Sequence, residues 1–102
     1  MIDLKPEYLQ EIKKILAVHA SDCEVRVFGS RVTGRAEPYS DLDLALVASQ
    51  ELDWEKIAEI KQAFSESDLP ILVDVLDWSG ISDSFKKVIE QQYEVLQKAR
   101  VA

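Results

Sequence analysis

The segment from Val25 to Val47, VRVFGSRVTGRAEPYSDLDLALV, decides the fold of this chain. It starts with a short apolar run that ends at Phe28, continues as a polar segment from Gly29, and returns to an apolar run that opens at Asp41. Two short apolar runs separated by Gly, Ser and Pro are typical of two β-strands joined by a turn. The sequence therefore predicts strand, turn and strand in this segment.

The second run opens with two carboxylates, Asp41 and Asp43, which are two residues apart. Because successive side chains of a strand alternate between its faces, both carboxylates should project from the same face. Two carboxylates so close together repel each other unless a cation or a shared proton offsets the cost. We interpret the pair as a binding site for a divalent metal ion.

The polar segment between the two runs has the composition of a phosphate-binding turn. Gly29 allows a ligand to approach the backbone closely, and the hydroxyl of Ser30 can donate to a phosphate oxygen. The residues from Ser30 onward can form a helical turn whose free N–H groups favour an anion, and Arg31 and Arg35 add positive charge. A phosphate cradle that faces a pair of metal-binding acids is what phosphoryl or nucleotidyl transfer requires.

The spacing of these residues resembles the signature of the polymerase-β-like nucleotidyltransferase superfamily, in which Gly-Ser and Asp-x-Asp each lie at a strand end. Here Gly29 and Ser30 are followed by ten residues and then by Asp41, Leu42 and Asp43. Over nearly its whole length the chain is similar to the minimal nucleotidyltransferases (MNT), which are encoded beside HEPN proteins and act with them as toxin–antitoxin pairs. The resemblance implies a polymerase-β palm-like fold, ATP as substrate, and a tyrosine hydroxyl of a partner HEPN ribonuclease as acceptor of AMP.

A third candidate carboxylate lies in the apolar run from Ile71 to Leu76, which predicts the third strand. Asp74 interrupts this run, and a lone carboxylate among apolar neighbours is expensive to bury without a cation or hydrogen-bond donors. The superfamily that the chain resembles has a third catalytic carboxylate on a later strand, and Asp74 fits that place. Asp77 is the alternative, although its position at the strand end beside Trp78 is more typical of a cap or turn.

The resulting hypothesis is a nucleotidyl transfer in which one or two Mg²⁺ ions bridge the triphosphate of ATP. The acids serve as metal ligands, and the turn holds the β- and γ-phosphates with arginine charge near the leaving group. The predicted catalytic and metal-binding residues are Asp41, Asp43 and Asp74, and the predicted phosphate-binding residues are Gly29, Ser30, Arg31 and Arg35. The identity of a general base is left open, with Glu37 and Asp77 as candidates.

Two other functions are consistent with the same residues. A non-catalytic antitoxin would block its toxin simply by occupying it. An enzyme of the antibiotic-resistance type would transfer AMP to an aminoglycoside and would need no protein partner.

The composition fits one globular domain over residues 1–102, in which 47% hydrophobic residues form a modest core. The formal net charge of −7 arises from 19 acidic and 12 basic residues, so polymerisation on long nucleic acids is disfavoured. The single cysteine, Cys23, cannot form an internal disulfide, and we expect a buried thiol in a cytoplasmic protein. No apolar run approaches the ~20 residues that a membrane span requires.

Apolar positions at three- and four-residue steps predict amphipathic helices on both sides of the signature. The first covers residues 6–19, before a strand over residues 24–28, and the second starts after the N-cap Asp53 and runs to Phe64. The last helix begins near Ser82 or Asp83. Its predicted inward-facing residues are Phe85, Val88, Ile89, Gln92 and Leu96. This order predicts an α/β (α+β) fold with a small mixed sheet, whose helices pack on one face while the other face carries the acids.

Several side chains outside the signature are expected to be non-catalytic. His19 ends the first helix, where a structural or surface role is the ordinary one. Tyr93 and Val95 lie off the apolar stripe of the last helix, where they form either ordinary surface or a contact with another protein. The leucines of the second strand are expected to face the core: Leu42, Leu44 and Leu46.

Overall fold

A four-stranded mixed sheet carries the residues of the signature. The computed structural model describes residues 2–100, so Met1 and residues 101–102 of the predicted domain lie outside the described residues. The elements are α1 (Pro6–His19), β1 (Glu24–Phe28), α2 (Ser30–Thr33), β2 (Leu42–Val47), α3 (Trp54–Ser65), β3 (Val73–Asp77), a 3₁₀ turn (Trp78–Gly80), α4 (Asp83–Gln91) and β4 (Glu94–Gln97). The strand order is β3-β2-β1-β4; β2 runs parallel to β3, and β1 runs antiparallel to both β2 and β4.

The core lies between α1, α3 and one face of the sheet. Alternation along β2 directs Leu42, Leu44 and Leu46 to this face, and all three are fully buried, which confirms the prediction from the sequence. The helices contribute four large side chains to the same cluster, which are Ile12, Leu16, Ile60 and Phe64. Burial of each such side chain stabilises the fold by about 1.5–3 kcal/mol.

Local signals set the starts of the helices where the sequence predicted them. Pro6 lies in the first turn of α1, where its missing N–H costs nothing. The carboxylate of Asp53 accepts a hydrogen bond of 2.8 Å from the N–H of Lys56 at the start of α3. The hydroxyl of Ser82 accepts one of 3.1 Å from the N–H of Phe85 at the start of α4. Each side-chain cap contributes about 1 kcal/mol.

The C-terminal part of the chain differs from the prediction. The last helix was predicted to reach Leu96, but α4 ends at Gln91 and residues 94–97 form the edge strand β4, which pairs with β1. The run from Tyr93 to Leu96 is rich in residues that favour strands, and β1 offers it an unpaired edge. Leu96 is partly buried against the core as predicted, although a strand presents it and not a helix.

The face of the sheet that carries Asp43, here called the acid face, is partly covered. Alternation places Arg26 and Phe28 on it, because Phe28 lies directly opposite Asp43 in the register of β1 and β2. The guanidinium of Arg26 lies 4.8 Å from the ring centroid of Trp78 and 4.8 Å from that of Tyr93. Helices α1 and α3 therefore pack on one face as predicted, whereas the 3₁₀ turn and α4 lie over part of the other.

None of the helices in residues 2–100 is long and apolar enough to cross a membrane.

Candidate active site

The three predicted acids lie at one end of the acid face. Asp43 on β2 lies directly beside Asp74 on β3 in the parallel register, and Asp41 precedes β2 by one residue. Because β2 and β3 run parallel, residues near the starts of both strands lie at the same end of the sheet. The same end receives Gly29, since β1 runs antiparallel to β2 and ends there.

Burial and the charge of its neighbours both act on the central acid, Asp43. The pKa of Asp43 is raised above its ordinary value by burial, then by the negative charge of Asp74, and then by that of Asp41. Asp43 is half-buried, whereas Asp41 and Asp74 are exposed. A raised pKa marks a site where bound positive charge would lower the electrostatic energy.

The acids fit a magnesium site in their chemistry, since Mg²⁺ takes oxygen ligands and usually binds through one or two carboxylates and substrate phosphates. Within residues 2–100, no three potential ligands are already grouped closely enough to enclose a metal ion. The three acids therefore form an open, negatively charged site. A cation bound there could take its remaining ligands from the oxygens of a triphosphate.

Asp74 reaches this place for a different reason from the one that the sequence suggested. Besides the resemblance to the superfamily, the prediction rested on the cost of burying a carboxylate in an apolar run, but the side chain of Asp74 is exposed. Its register with Asp43, and not burial, brings it into the site. The identification of Asp74 as a metal ligand stays a prediction.

Asp77 lies elsewhere. Its register with Leu46 puts it on the core side of the sheet, toward the far end of β3. Its carboxylate accepts hydrogen bonds of 3.1 Å from the N–H and 3.0 Å from the hydroxyl of Ser79, which makes it the cap of the 3₁₀ turn. It also lines a cavity of about 770 Å³ beside Trp54. Asp77 is thus separated from the acids by most of the strand, as expected for a cap.

Gly29 joins the turn directly to the acids. Its φ of +80° lies in the region that favours glycine, and a Cβ at this position would collide with Oδ2 of Asp43. The carbonyl of Gly29 accepts bonds of 3.0 and 3.1 Å from the N–H groups of Val32 and Thr33, which begin α2. The first N–H groups of such a turn have no intrahelical acceptor, so they are available to an anion. Ser30 is the first residue of α2 and is half-buried beside this turn.

The two predicted arginines differ in their placement. Arg31 is only 6% exposed, and its terminal nitrogens donate to the carbonyls of Asp3, Pro38 and Ser40. The prediction that Arg31 adds charge at the leaving group is therefore not supported, because its guanidinium is committed to the backbone. Arg35 is exposed, and its N–H closes α2 with a bond of 3.2 Å to the carbonyl of Ser30. A phosphate contact by Arg35 stays a prediction.

Phe28 and Phe85 form an apolar wall that the sequence did not indicate. Their rings pack edge to face with centroids 5.9 Å apart, and Phe28 lies opposite Asp43 on the acid face. Phe85 is 37% exposed, so the inner ring, Phe28, is the one that shields the carboxylate from water. Helical periodicity indicated that Phe85 faces inward, but no pattern in the sequence indicated the strand residue that it would contact.

The side chains expected to be non-catalytic lie away from the acids. Nδ1 of His19 is 3.4 Å from Oε2 of Glu59, which joins the surfaces of α1 and α3. Cys23 is buried, and burial followed by the charge of Asp22 raises the pKa of its thiol to about 11, so it stays protonated and inert. Tyr93 packs on Arg26, whereas Val95 is 43% exposed.

Replacing Asp43 with asparagine should stabilise the fold, because a neutral amide removes both the cost of burying a charge and the repulsion from Asp74 and Asp41. The folded protein holds a proton on Asp43 more tightly than the unfolded chain does, so the ionised carboxylate lowers stability at pH values above the raised pKa. We expect Asp43→Asn to raise the Tm by about 2–4 °C at neutral pH. This advantage should shrink as the pH falls through the raised pKa toward the ordinary value of 3.8.

Thermal unfolding of both proteins across about pH 3–8 measures this effect, without added metal. Glu90→Gln is a suitable control, because Glu90 is an exposed carboxylate on α4. An Asn variant that melts below the parent protein at neutral pH would contradict a cost of ionising Asp43 in the folded protein.

The chain is similar in sequence to known proteins. The chain matches the family described as "Polymerase beta, Nucleotidyltransferase" over residues 10–100. It is 46% identical over 97 residues to the "Probable protein adenylyltransferase MntA" of Haemophilus influenzae, and the match covers 95% of this chain and 85% of that protein.

Solved structures give the same result for the fold. One is a toxin–antitoxin complex with AMP-PNP, with a TM-score of 0.75 at 26% identity over 90% of this chain and 74% of that chain. Another is a tri-AMPylated Shewanella oneidensis HEPN toxin in complex with MNT antitoxin, with a TM-score of 0.70 at 24% identity over 94% of this chain and 74% of that chain. The predicted fold class is confirmed by these likenesses.

Proposed function

We propose that this chain, which belongs to the nucleotidyltransferase family of polymerase β, transfers AMP from ATP to a tyrosine hydroxyl of a partner HEPN-domain toxin and thereby acts as its antitoxin. The observation that carries the proposal is the pairing of Asp43 with Asp74, beside a glycine whose missing Cβ leaves room for the carboxylate of Asp43. The curated relative named as a probable protein adenylyltransferase supports a protein acceptor.

In this proposal, the chain supplies binding and orientation more than proton transfer. Asp41, Asp43 and Asp74 would hold Mg²⁺, which when bound would neutralise charge on the triphosphate and lower the pKa of the attacking hydroxyl. Gly29 and Ser30 would bind the β- and γ-phosphates through the backbone and the hydroxyl. The tyrosine oxygen would form a bond to the α-phosphorus as the bond to pyrophosphate breaks, and the tyrosine proton would pass to solvent.

The acceptor must reach the acids from solvent, and the structure is open on that side. Asp41 and Asp74 are exposed, and so is Tyr39 in the loop before Asp41. With a net charge of −7, the chain would attract a basic partner, which would speed association and orient the encounter. We place the reaction in the cytoplasm, where ATP and a toxin that cleaves RNA would both be found.

The decisive experiment incubates the chain with Mg²⁺, ATP labelled in the α-phosphate, and the HEPN protein that is proposed as its partner. We expect label on a tyrosine of the HEPN protein, located by mass spectrometry, and a loss of its ribonuclease activity. Reactions without the HEPN protein, and with an aminoglycoside in its place, serve as controls. Label on the aminoglycoside, or none on the HEPN protein although the two proteins bind each other, would overturn the proposed acceptor.

Occupancy of the toxin without transfer is the rival function, and a paired substitution separates the two. Asp41→Asn combined with Asp43→Asn removes the two acids that open β2 and leaves the buried core unchanged. If this double variant protects cells from the toxin as well as the unaltered chain does, binding alone is sufficient and the transfer reaction is dispensable.

A further inference from the structure

We propose that Arg31 is a positioning residue that fixes Asp41 for metal binding through the backbone of the loop that precedes it. The inference rests on the proposed function, because it assumes that Asp41 is a metal ligand. It assigns Arg31 a role in the site that requires no contact with the nucleotide.

The contacts of Arg31 are those of a clamp between two distant segments. One terminal nitrogen donates to the carbonyl of Asp3 at 3.0 Å, and the other donates to the carbonyls of Pro38 at 3.1 Å and Ser40 at 2.8 Å. The backbone of the same arginine accepts a bond of 2.7 Å from the N–H of Asp3. A buried guanidinium that donates to three carbonyls holds all three in one arrangement, because its donors have a fixed planar geometry.

The loop that Arg31 holds has little other support. Glu37, Pro38 and Tyr39 are exposed, and Tyr39 retains 81% of its accessible surface. A short turn joins Glu37 to Ser40, since the N–H of Ser40 donates to the carbonyl of Glu37 at 3.1 Å and the hydroxyl of Ser40 accepts from the N–H of Glu37 at 2.8 Å. These bonds lie within the loop and do not attach it to the rest of the chain.

A cavity of about 490 Å³ lies beside this loop. Its walls come from the loop, from Arg31, from the N-terminal residues 3–5 with Tyr8, and from Pro70 and Ile71. Space beside the loop means that core packing does not fix its position on that side. The hydrogen bonds of Arg31 to Pro38 and Ser40 therefore supply an attachment that packing does not.

Asp41 receives its position from the peptides on either side of it. The carbonyl of Ser40 is held by Arg31, and the N–H of Leu42 donates to the carbonyl of Leu72 at 2.9 Å. The side chain of Asp41 is itself exposed. Its distance from Asp43 and Asp74 therefore depends on the backbone, and Arg31 fixes the N-terminal half of that backbone.

The test measures the affinity of the metal-free chain for Mn²⁺ in the presence of AMP-PNP, by the electron paramagnetic resonance of free Mn²⁺. Arg31→Met keeps the length of the side chain and removes its donors. We expect this variant to raise the Kd for Mn²⁺ by about 10- to 100-fold, the range found when groups that orient metal ligands are removed. Arg31→Lys, which can reach some of the carbonyls, should raise the Kd by about three- to tenfold. Should Arg31→Met fail to fold, Arg31→Lys carries the test.

Gln97→Met is the matched control, because Gln97 also joins two backbone carbonyls but does so at the opposite end of the sheet. Its Nε2 donates to the carbonyls of Ala20 at 2.9 Å and Cys23 at 3.1 Å. We expect Gln97→Met to lower the Tm and leave the Kd for Mn²⁺ within about twofold, whereas the Arg31 variants change both.

The outcomes separate the inference from the proposed function. If the Arg31 variants are less stable but bind Mn²⁺ as tightly as the unaltered chain, Arg31 has a structural role only and the inference is overturned. If the unaltered chain binds no Mn²⁺ with AMP-PNP, the metal site fails, and the proposed function fails with it. A Kd for Mn²⁺ that Arg31→Met raises strongly and Arg31→Lys raises less supports the clamp.

Discussion

Asp74→Asn is expected to slow AMP transfer about a thousandfold, whereas Asp77→Asn, three residues along the chain, should leave the rate within about twofold. Removing a metal ligand at this site should cost several kcal/mol of transition-state stabilisation, and each 1.4 kcal/mol corresponds to a factor of ten in rate. The two substitutions make the same chemical change on neighbouring parts of β3. Their expected effects differ only because the two carboxylates lie in different places.

The structure separates the two carboxylates clearly. Asp74 lies beside Asp43 in the register of β3 and β2, and its charge contributes to the raised pKa of Asp43. Asp77 is opposite Leu46 and accepts both hydrogen bonds of its cap from Ser79. An amide at position 77 can still accept a bond from the N–H of Ser79, so we expect a loss of stability of less than about 1 kcal/mol.

Single-turnover transfer of labelled AMP to the HEPN protein, at saturating Mg²⁺ and ATP, gives the rates directly. Circular dichroism and the binding of each variant to the HEPN protein show that the fold and the complex are intact. Equal rates for Asp74→Asn and the unaltered chain would remove Asp74 from the site. If Asp77→Asn greatly lowers the rate of transfer and leaves the Tm unchanged, Asp77 is the third ligand, which is the alternative that the sequence left open.

The sequence was informative about the site wherever spacing in a strand determined geometry. The alternation of Asp41, Leu42 and Asp43 was sufficient to predict which side chains of β2 face the core, and burial of the leucines confirms it. Asp74 was assigned through the resemblance to the superfamily and through the cost of burying a carboxylate, but its side chain is exposed. The register of a parallel pair determines the neighbour of Asp74, and a single sequence contains no direct signal for register.

The wrong prediction of a helix for the C-terminal residues up to Leu96 has a related cause. The apolar positions from Phe85 to Leu96 fit helical steps, yet β4 begins at Glu94. Strand formation there depends on the open edge of β1, a tertiary feature that outweighs the local pattern. Local periodicity cannot indicate that a neighbouring strand lacks a partner.

Arg31 is a charged residue whose contacts also could not be predicted from the sequence. An arginine after Gly-Ser in an otherwise acidic chain suggests a phosphate contact, and this was the prediction. Its three carbonyl acceptors come from Asp3, Pro38 and Ser40, which are 28, 7 and 9 residues away. Backbone carbonyls have no side-chain signature, so the sequence cannot distinguish an arginine that binds them from one that binds a ligand.

Gly29→Ala should reduce transfer at least a hundredfold, and Gly34→Ala should not, although both glycines have a positive φ. The φ values are +80° at Gly29 and +84° at Gly34, so an alanine strains the backbone at either position, by roughly 1–3 kcal/mol. The surroundings differ: a Cβ at Gly29 would collide with Oδ2 of Asp43, whereas a Cβ at Gly34 has no atom of the described residues within 4 Å. Only the first substitution displaces an acid together with the turn that is proposed to bind phosphate.

A double-mutant cycle tests whether the loss arises from that collision. In the Asp43→Ala background the colliding oxygen is absent, so Gly29→Ala should lower the Tm by less than it does in the unaltered chain, while Gly34→Ala should cost the same in both backgrounds. Chemical or thermal unfolding of the six proteins measures the coupling without any reaction. If the cost of Gly29→Ala is unchanged by Asp43→Ala, the contact between the turn and the acid carries no energy, and the close approach of Gly29 to Asp43 no longer explains why glycine occupies this position.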